Sequence, residues 1–184
     1  MGWRGGNDLA STSLTLLEGT TVIRRLGSHA GKRIYFGYDR YIRPELITYR
    51  DALGRHGELV DAVDEGQLHY LTSAELVCTA VQADPESFGV LCCGTGMGMS
   101  IAANKFHGIY AARCMSVEDA ELARTINNAN VLCLAAKQGF ELNQLIIDTF
   151  VRTAYTGRKL DELELITRFE GAPAPSLRVV RRTA

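Results

Sequence analysis

One stretch constrains the fold more than any other: Phe88-Gly89-Val90-Leu91-Cys92-Cys93-Gly94-Thr95-Gly96-Met97-Gly98-Met99-Ser100-Ile101-Ala102-Ala103-Asn104-Lys105. An apolar run ends in a thiol, three alternating glycines follow, and a small-residue segment leads to an Asn-Lys pair. This order predicts a strand, a tight turn and a helix start. Glycines at Gly94, Gly96 and Gly98 permit positive φ and let backbone N–H groups approach a ligand, while the helix N-terminus adds partial positive charge. The turn suits an anion. Cys93 falls where the strand stops, and Cys92 then points to the opposite face.

The flanking segments alternate in the same way. Arg33-Ile34-Tyr35-Phe36-Gly37 reads as a strand followed by the loop Tyr38-Asp39-Arg40-Tyr41. Pro44 suits the first turn of a helix running to about Arg55, with Leu46, Ile47 and Leu53 inward. Residues 58–63 read as a short strand, Asp64 to Tyr70 as a loop, and a helix is expected from Thr72 or Ser73 to Gln82. Gly108 to Cys114 reads as a buried strand, and Ser116 with Asp119 resembles a capping box opening a helix to about Ile126. Asn130 to Leu134 is a fifth strand. Residues 140–154 form an amphipathic helix, with Leu142, Leu145, Ile146, Thr149 and Phe150 at helical spacing. Strands alternating with helices imply βαβ units and a five-stranded parallel sheet covered on both faces, a three-layer α/β fold. Its ligands should bind at the carboxyl ends of the strands.

The domain expected is 32–170. Before it lies an extension, 1–31, with short alternating stretches around Leu14-Thr15-Leu16 and Thr21-Val22-Ile23, open to a loose strand pair or a disordered tail. After it comes a tail, 171–184, with two prolines and a basic end. An apolar content of 46% in 184 residues supports one real core. A net charge of −1 without a basic block argues against nucleic acid or membrane as partner and for a small ligand. No run approaches the roughly 18 apolar residues of a membrane span, and the N-terminus lacks a signal peptide's order, which reads as cytoplasmic. Five cysteines without CxxC spacing argue against zinc or a disulfide framework.

The G-x-G-x-G spacing at the third strand differs from the dinucleotide fingerprint, and no Gly-Lys-Ser/Thr exists for a Walker loop. Cys78, Cys92 and Cys133 read as small buried hydrophobes. Cys93 is open to that reading or to one in which backbone N–H groups and the helix N-terminus activate it as a base or nucleophile.

Leu91 to Lys105, Gly108-Ile109 and Asn127-Asn128-Ala129-Asn130-Val131-Leu132 resemble the signature of the sugar-phosphate isomerases that group type B ribose-5-phosphate isomerase with the galactose-6-phosphate isomerase subunits. The likeness covers roughly residues 32 to 166. It implies a flavodoxin/Rossmann-like α/β fold and a metal-free, cofactor-free aldose–ketose isomerisation through an enediolate. It further implies a homodimer or tetramer with active sites at the subunit interface, or a hetero-oligomer with an A-type subunit. By this resemblance Cys93 is the base, and Thr95 with the amides of Gly94, Gly96, Met97 and Gly98 holds the enediolate oxygens. Asp39 assists near the ring oxygen, and Tyr70, Asn104 and Asn127 meet the sugar. Lys137 joins the substrate-binding set. Helix-end capping remains the other reading of both asparagines.

Three departures stand out. Arg40 replaces the histidine after Asp39; it can contact a phosphate but cannot exchange a proton at neutral pH. Ile126 occupies the place of the ring-opening histidine. The usual phosphate-binding run is replaced by Thr156-Gly157-Arg158-Lys159, where Arg158 or Lys159 is the substitute expected. This combination resembles the B subunit of galactose-6-phosphate isomerase, whose A-type partner supplies the missing groups. His69, on the expected active edge, is the alternative proton source; His107 reads as a surface residue.

Overall fold

The computed structural model of the chain describes residues 22–64, 66 and 68–170. Five parallel strands, β1 (Ile34–Tyr38), β2 (Leu59–Asp61), β3 (Phe88–Cys93), β4 (Ala111–Arg113) and β5 (Val131–Ala135), form one sheet in the order β2-β1-β3-β5-β4. The helices are α1 (Leu46–Gly54), α2 (Tyr70–Ala83), α3 (Met97–Ala103), α4 (Val117–Thr125), α5 (Phe140–Arg152) and α6 (Leu160–Thr167). The expected three-layer parallel α/β fold is present, with β4 outside β5 where a flavodoxin-like order would run consecutively.

Central strands buried on both faces read as unbroken apolar runs. Every residue of β3 and β5 is buried. Val90, Cys92, Leu132 and Leu134 pack with α1, α4 and α5, whereas Leu91, Cys93, Val131 and Cys133 pack with α2 and α3. Cys92 and Cys93 therefore face opposite layers, as period-two alternation requires.

Local chemistry shifts several expected boundaries. A 3-10 turn, Arg40–Glu45, absorbs Pro44, so α1 starts at Leu46 and turns Leu46, Tyr49, Ala52 and Leu53 inward. Ile47, expected inward, is 72% exposed. In α5, Leu145 faces out and Asn143 lies inside, its amide donating to Tyr49 Oη at 2.6 Å and to the Ala135 carbonyl at 3.0 Å. That satisfied amide explains how a polar residue occupies a core position. Helix α2 begins two residues earlier than expected because His69 caps it, Nδ1 accepting from the Leu71 amide at 3.3 Å.

The strand expected at 108–114 is shorter and only partly buried, because it forms the sheet edge. Asn104, at the end of α3, accepts from the Ala111 amide at 2.9 Å and donates to the Ala111 carbonyl at 2.8 Å. One side-chain amide thus stands in for a strand neighbour. Ser116 caps α4 as expected, accepting from the Asp119 amide, and Asp119 reaches back to the Met115 amide.

Of the N-terminal extension, the stretch around Leu14 lies outside the described residues, as does the tail 171–184. Val22 and Ile23 are helical, not extended. Gly27 bridges Tyr155, and the His29 ring stacks on Phe88 at 4.7 Å, so residues 22–31 pack on the amino ends of β3 and β5.

Candidate active site

The carboxyl ends of β1, β3 and β5 surround a cavity of about 210 Å³. β1 delivers Asp39, β3 delivers Cys93, Gly94 and Thr95, α3 delivers Gly98, and the turn after β5 delivers Lys137. Tyr41 and Tyr70 form its aromatic walls. Their approach requires the glycines: a Cβ at Gly94 would lie 3.2 Å from the Tyr41 ring, and one at Gly98 2.8 Å from the Tyr70 ring. Gly96 has a φ of +70°, a left-handed conformation that glycine adopts without strain.

That conformation turns the Gly96 amide back onto the strand end, where its N–H donates to Cys93 Sγ at 3.2 Å. A backbone donor on sulfur fixes the thiol at the turn, beside the cavity. The other cysteines are buried away from it. Burial pushes the Cys78 and Cys114 thiols up to about 12, and raises Cys92 and Cys133 further. The Thr95 hydroxyl accepts from the Met97 amide at 3.4 Å, which leaves its own hydrogen available. Asp39 is buried, and desolvation raises its pKa against the opposing pull of the Tyr41 and Gly94 amides. The cavity therefore pairs a thiol held by an amide with a carboxyl whose pKa burial raises.

The remaining expected site residues separate into two groups. Arg40, His69 and Met97 border the same sheet edge: Arg40 lies over the Tyr41 ring, His69 packs on Tyr70 at 4.8 Å, and Met97 opens α3. Asn104, Asn127 and Arg158 are elsewhere. Asn104 is committed within the chain, donating to the Ser100 carbonyl of its own helix at 2.9 Å and bonding Ala111 of β4, and shares with Asn127 a separate cleft of about 470 Å³ beside β4. Asn127 sits between α4 and the amino end of β5, whereas Cys93 pairs with Ala135 at the carboxyl end of that strand. Arg158 lies in the turn after α5, next to the Tyr155–Gly27 bridge at the amino end. Within one chain neither Asn127 nor Arg158 lines the Cys93 cavity.

Two residues were missed in the sequence. Tyr41 had a usable signal, an aromatic ring two places after Asp39 in a loop at the active edge. Arg113 had none, since only the fold brings β4 beside the glycine turn. Its Nε donates to the Thr95 carbonyl at 2.7 Å. Among the described residues no group of three or more His, Cys, Asp or Glu is placed to hold a metal ion, and no helix is long and apolar enough to cross a membrane.

A parallel sheet carrying a thiol and a glycine turn at its central strand end matches known proteins over most of this length. Residues 42–166 match the ribose/galactose isomerase family. The chain is 35% identical over 149 residues to ribose-5-phosphate isomerase B of Escherichia coli, covering 76% of this chain and 97% of that protein. It is 38% identical over 117 residues to the DNA damage-repair/toleration protein DRT102 of Arabidopsis thaliana, but covers only 36% of that protein's length. The solved structure of Clostridium thermocellum ribose-5-phosphate isomerase B superposes with a TM-score of 0.70 at 31% identity, over 75% of this chain and 97% of that one. The chain belongs to the ribose/galactose isomerase family.

Proposed function

We propose that this protein interconverts an aldose phosphate and a ketose phosphate of the ribose 5-phosphate/ribulose 5-phosphate or galactose 6-phosphate/tagatose 6-phosphate type. The observation that carries the reading is the joint placement of Cys93, the Gly96 amide, Thr95 and Asp39 around one cavity in a member of this family. Cys93, as thiolate, removes the proton from C2 of the open-chain aldose. The electrons move onto O1, giving a cis-enediolate whose oxygens meet the turn amides and the Thr95 hydroxyl, donors aimed at charge that develops in the transition state. The O2 proton passes to O1, the carbonyl re-forms at C2, and the thiol returns its proton to C1, giving the ketose. No metal or cofactor takes part.

Ring opening needs a proton donor and acceptor near the ring oxygen. Ile126 can be neither. His69 is suited to it: with Nδ1 accepting from Leu71, the neutral ring carries its hydrogen on Nε2. Asp39, in the cavity wall, orients the hydroxyls. Arg40 and Lys137, both exposed cations at this edge, are the phosphate contacts available within the chain. Asn127 and Arg158 join the site only if a second subunit presents its amino-end face, so the working enzyme is a homodimer or tetramer, or a hetero-oligomer with an A-type chain.

Incubation with ribose 5-phosphate, galactose 6-phosphate and allose 6-phosphate in D2O, followed by NMR at C2, tests this. Exchange that vanishes in Cys93→Ala is expected. Absence of exchange with all three, alone and with an A-type partner, would refute it. Ile126 favours a second reading, a subunit that binds sugar phosphate without turning it over; calorimetric binding unchanged in Cys93→Ala, with no exchange, would establish that instead.

A further inference from the structure

Arg113 projects from the edge strand toward the glycine turn and donates Nε–H to the Thr95 carbonyl at 2.7 Å. That carbonyl and the Gly96 N–H are the two ends of a single peptide group. The Gly96 N–H in turn donates to Cys93 Sγ at 3.2 Å. A cation, one peptide unit and a thiol are thus joined head to tail. Consecutive hydrogen bonds polarise one another, and a charged donor strengthens the chain beyond what a neutral one gives. Drawing electrons toward the Thr95 oxygen leaves the Gly96 hydrogen more positive where it meets sulfur.

We propose that Arg113 is a positioning residue that activates Cys93 through the Thr95–Gly96 peptide, holding the turn in shape and favouring the thiolate. Packing supports the role as well as the bond. A Cβ at Gly96 would approach Arg113 Cγ to 3.3 Å, so the arginine stem lies against the turn it holds. Arg113 is half-buried, which limits screening of its charge. Other charged groups face the two ends of the relay: Asp39 and Lys137 line the cavity with Cys93, and Asp119 lines the cleft with Arg113. None of these bonds to the Thr95–Gly96 peptide among the described hydrogen bonds.

The inference rests on the isomerase reading for its biological use, but its test does not need a substrate. Iodoacetamide alkylation of Cys93, followed by mass spectrometry of its peptide across pH, reads the thiolate directly, because the thiolate sulfur displaces iodide. Arg113→Gln retains a neutral donor, Arg113→Met removes it, and Arg113→Lys keeps a cation. Gln and Met should slow alkylation at pH 7 by about tenfold and move the pH–rate curve to higher pH, with Lys within about threefold of the parent. In exchange assays Arg113→Gln should lower kcat more than it raises KM. Rates for Gln and Met within about twofold of the parent, or a Lys variant as slow as Met, would overturn the relay. A parent protein inactive on every sugar phosphate, yet showing the alkylation pattern, would reject the isomerase reading and leave the relay standing. Turnover without the alkylation pattern would do the reverse.

Discussion

The two ends of this sheet carry polar residues for different ends. At the carboxyl end Asp39, Cys93, Thr95 and Lys137 border an open cavity, and the cysteine is held by a backbone amide. At the amino end His29, Arg124, Asn128 and Asn130 are buried and turned on the chain itself. Arg124 donates to Asn128 Oδ1 at 3.0 Å and to the Gly27 carbonyl at 3.1 Å, and lies over the Phe150 ring. Burial lowers its pKa to about 10. Asn128 donates to the Ile23 and Arg25 carbonyls, and Asn130 both accepts from the Tyr110 amide and donates to the Gly108 carbonyl. Polar groups at one end are left available to a ligand; at the other they fasten residues 22–31 to the sheet. Asn127 and Arg158, which the proposed mechanism draws from a second subunit, sit at the fastened end.

The largest effect should come from breaking the chemistry at the carboxyl end alone. Cys93→Ala is expected to lower C2 exchange by roughly 10³-fold, the scale of a general base. Its neighbour offers the control. Cys92→Ala, on the opposite face, should leave exchange nearly intact and cost about 1–2 kcal/mol in urea denaturation through the small cavity it creates. Equal loss of activity in both variants would show that the two faces are not functionally distinct.

A second test asks whether the two ends meet between copies. Cys93→Ala and Arg158→Ala should each be inactive alone, yet mixed after dissociation and reassociation they should recover roughly a quarter of the parental rate, since half of the dimers then carry one intact site. No recovery in confirmed mixed oligomers would place the Arg158 function elsewhere. Gly96→Ala is a milder probe of the turn: a methyl in the left-handed region costs about 1–2 kcal/mol and should weaken exchange by more than it lowers the melting temperature.

The smallest effect belongs to the amino end. Burial and the nearby Arg124 charge hold the His29 pKa well below its ordinary value of 6.5. The unfolded chain then binds a proton that the folded chain refuses, so stability is fully present above pH 6.5 and falls as the pH drops below it. The urea midpoint should decline between pH 7.5 and 5, and His29→Phe should flatten that decline without altering exchange at pH 7.5. An undiminished decline would assign the proton to another group.

Much of this was legible in the chain. The β3 run and the glycines after it specify strand, turn and helix because their residue types leave the backbone few alternatives. The alternation of Cys92 and Cys93 follows from strand geometry. Ile47 and Leu145 were misplaced for a local reason: a 3-10 turn and a buried, satisfied Asn143 reset the phase of their helices, and periodicity weighs apolar residues without seeing such partners. Asn104 was readable either way, and its bonds to Ala111 commit it to the sheet edge.

The sequence by itself determined the parallel α/β fold, the anion-suited turn and the cysteine at its base, because short-range backbone chemistry governs all three. Only the tertiary structure decided which residues share a cavity. Strand order and helix direction send Asn127 and Arg158 to one end and Cys93 to the other, and they bring Arg113, 18 residues along the chain from Thr95, into contact with the turn. Those distances depend on how the layers pack, and no local pattern of residues records them.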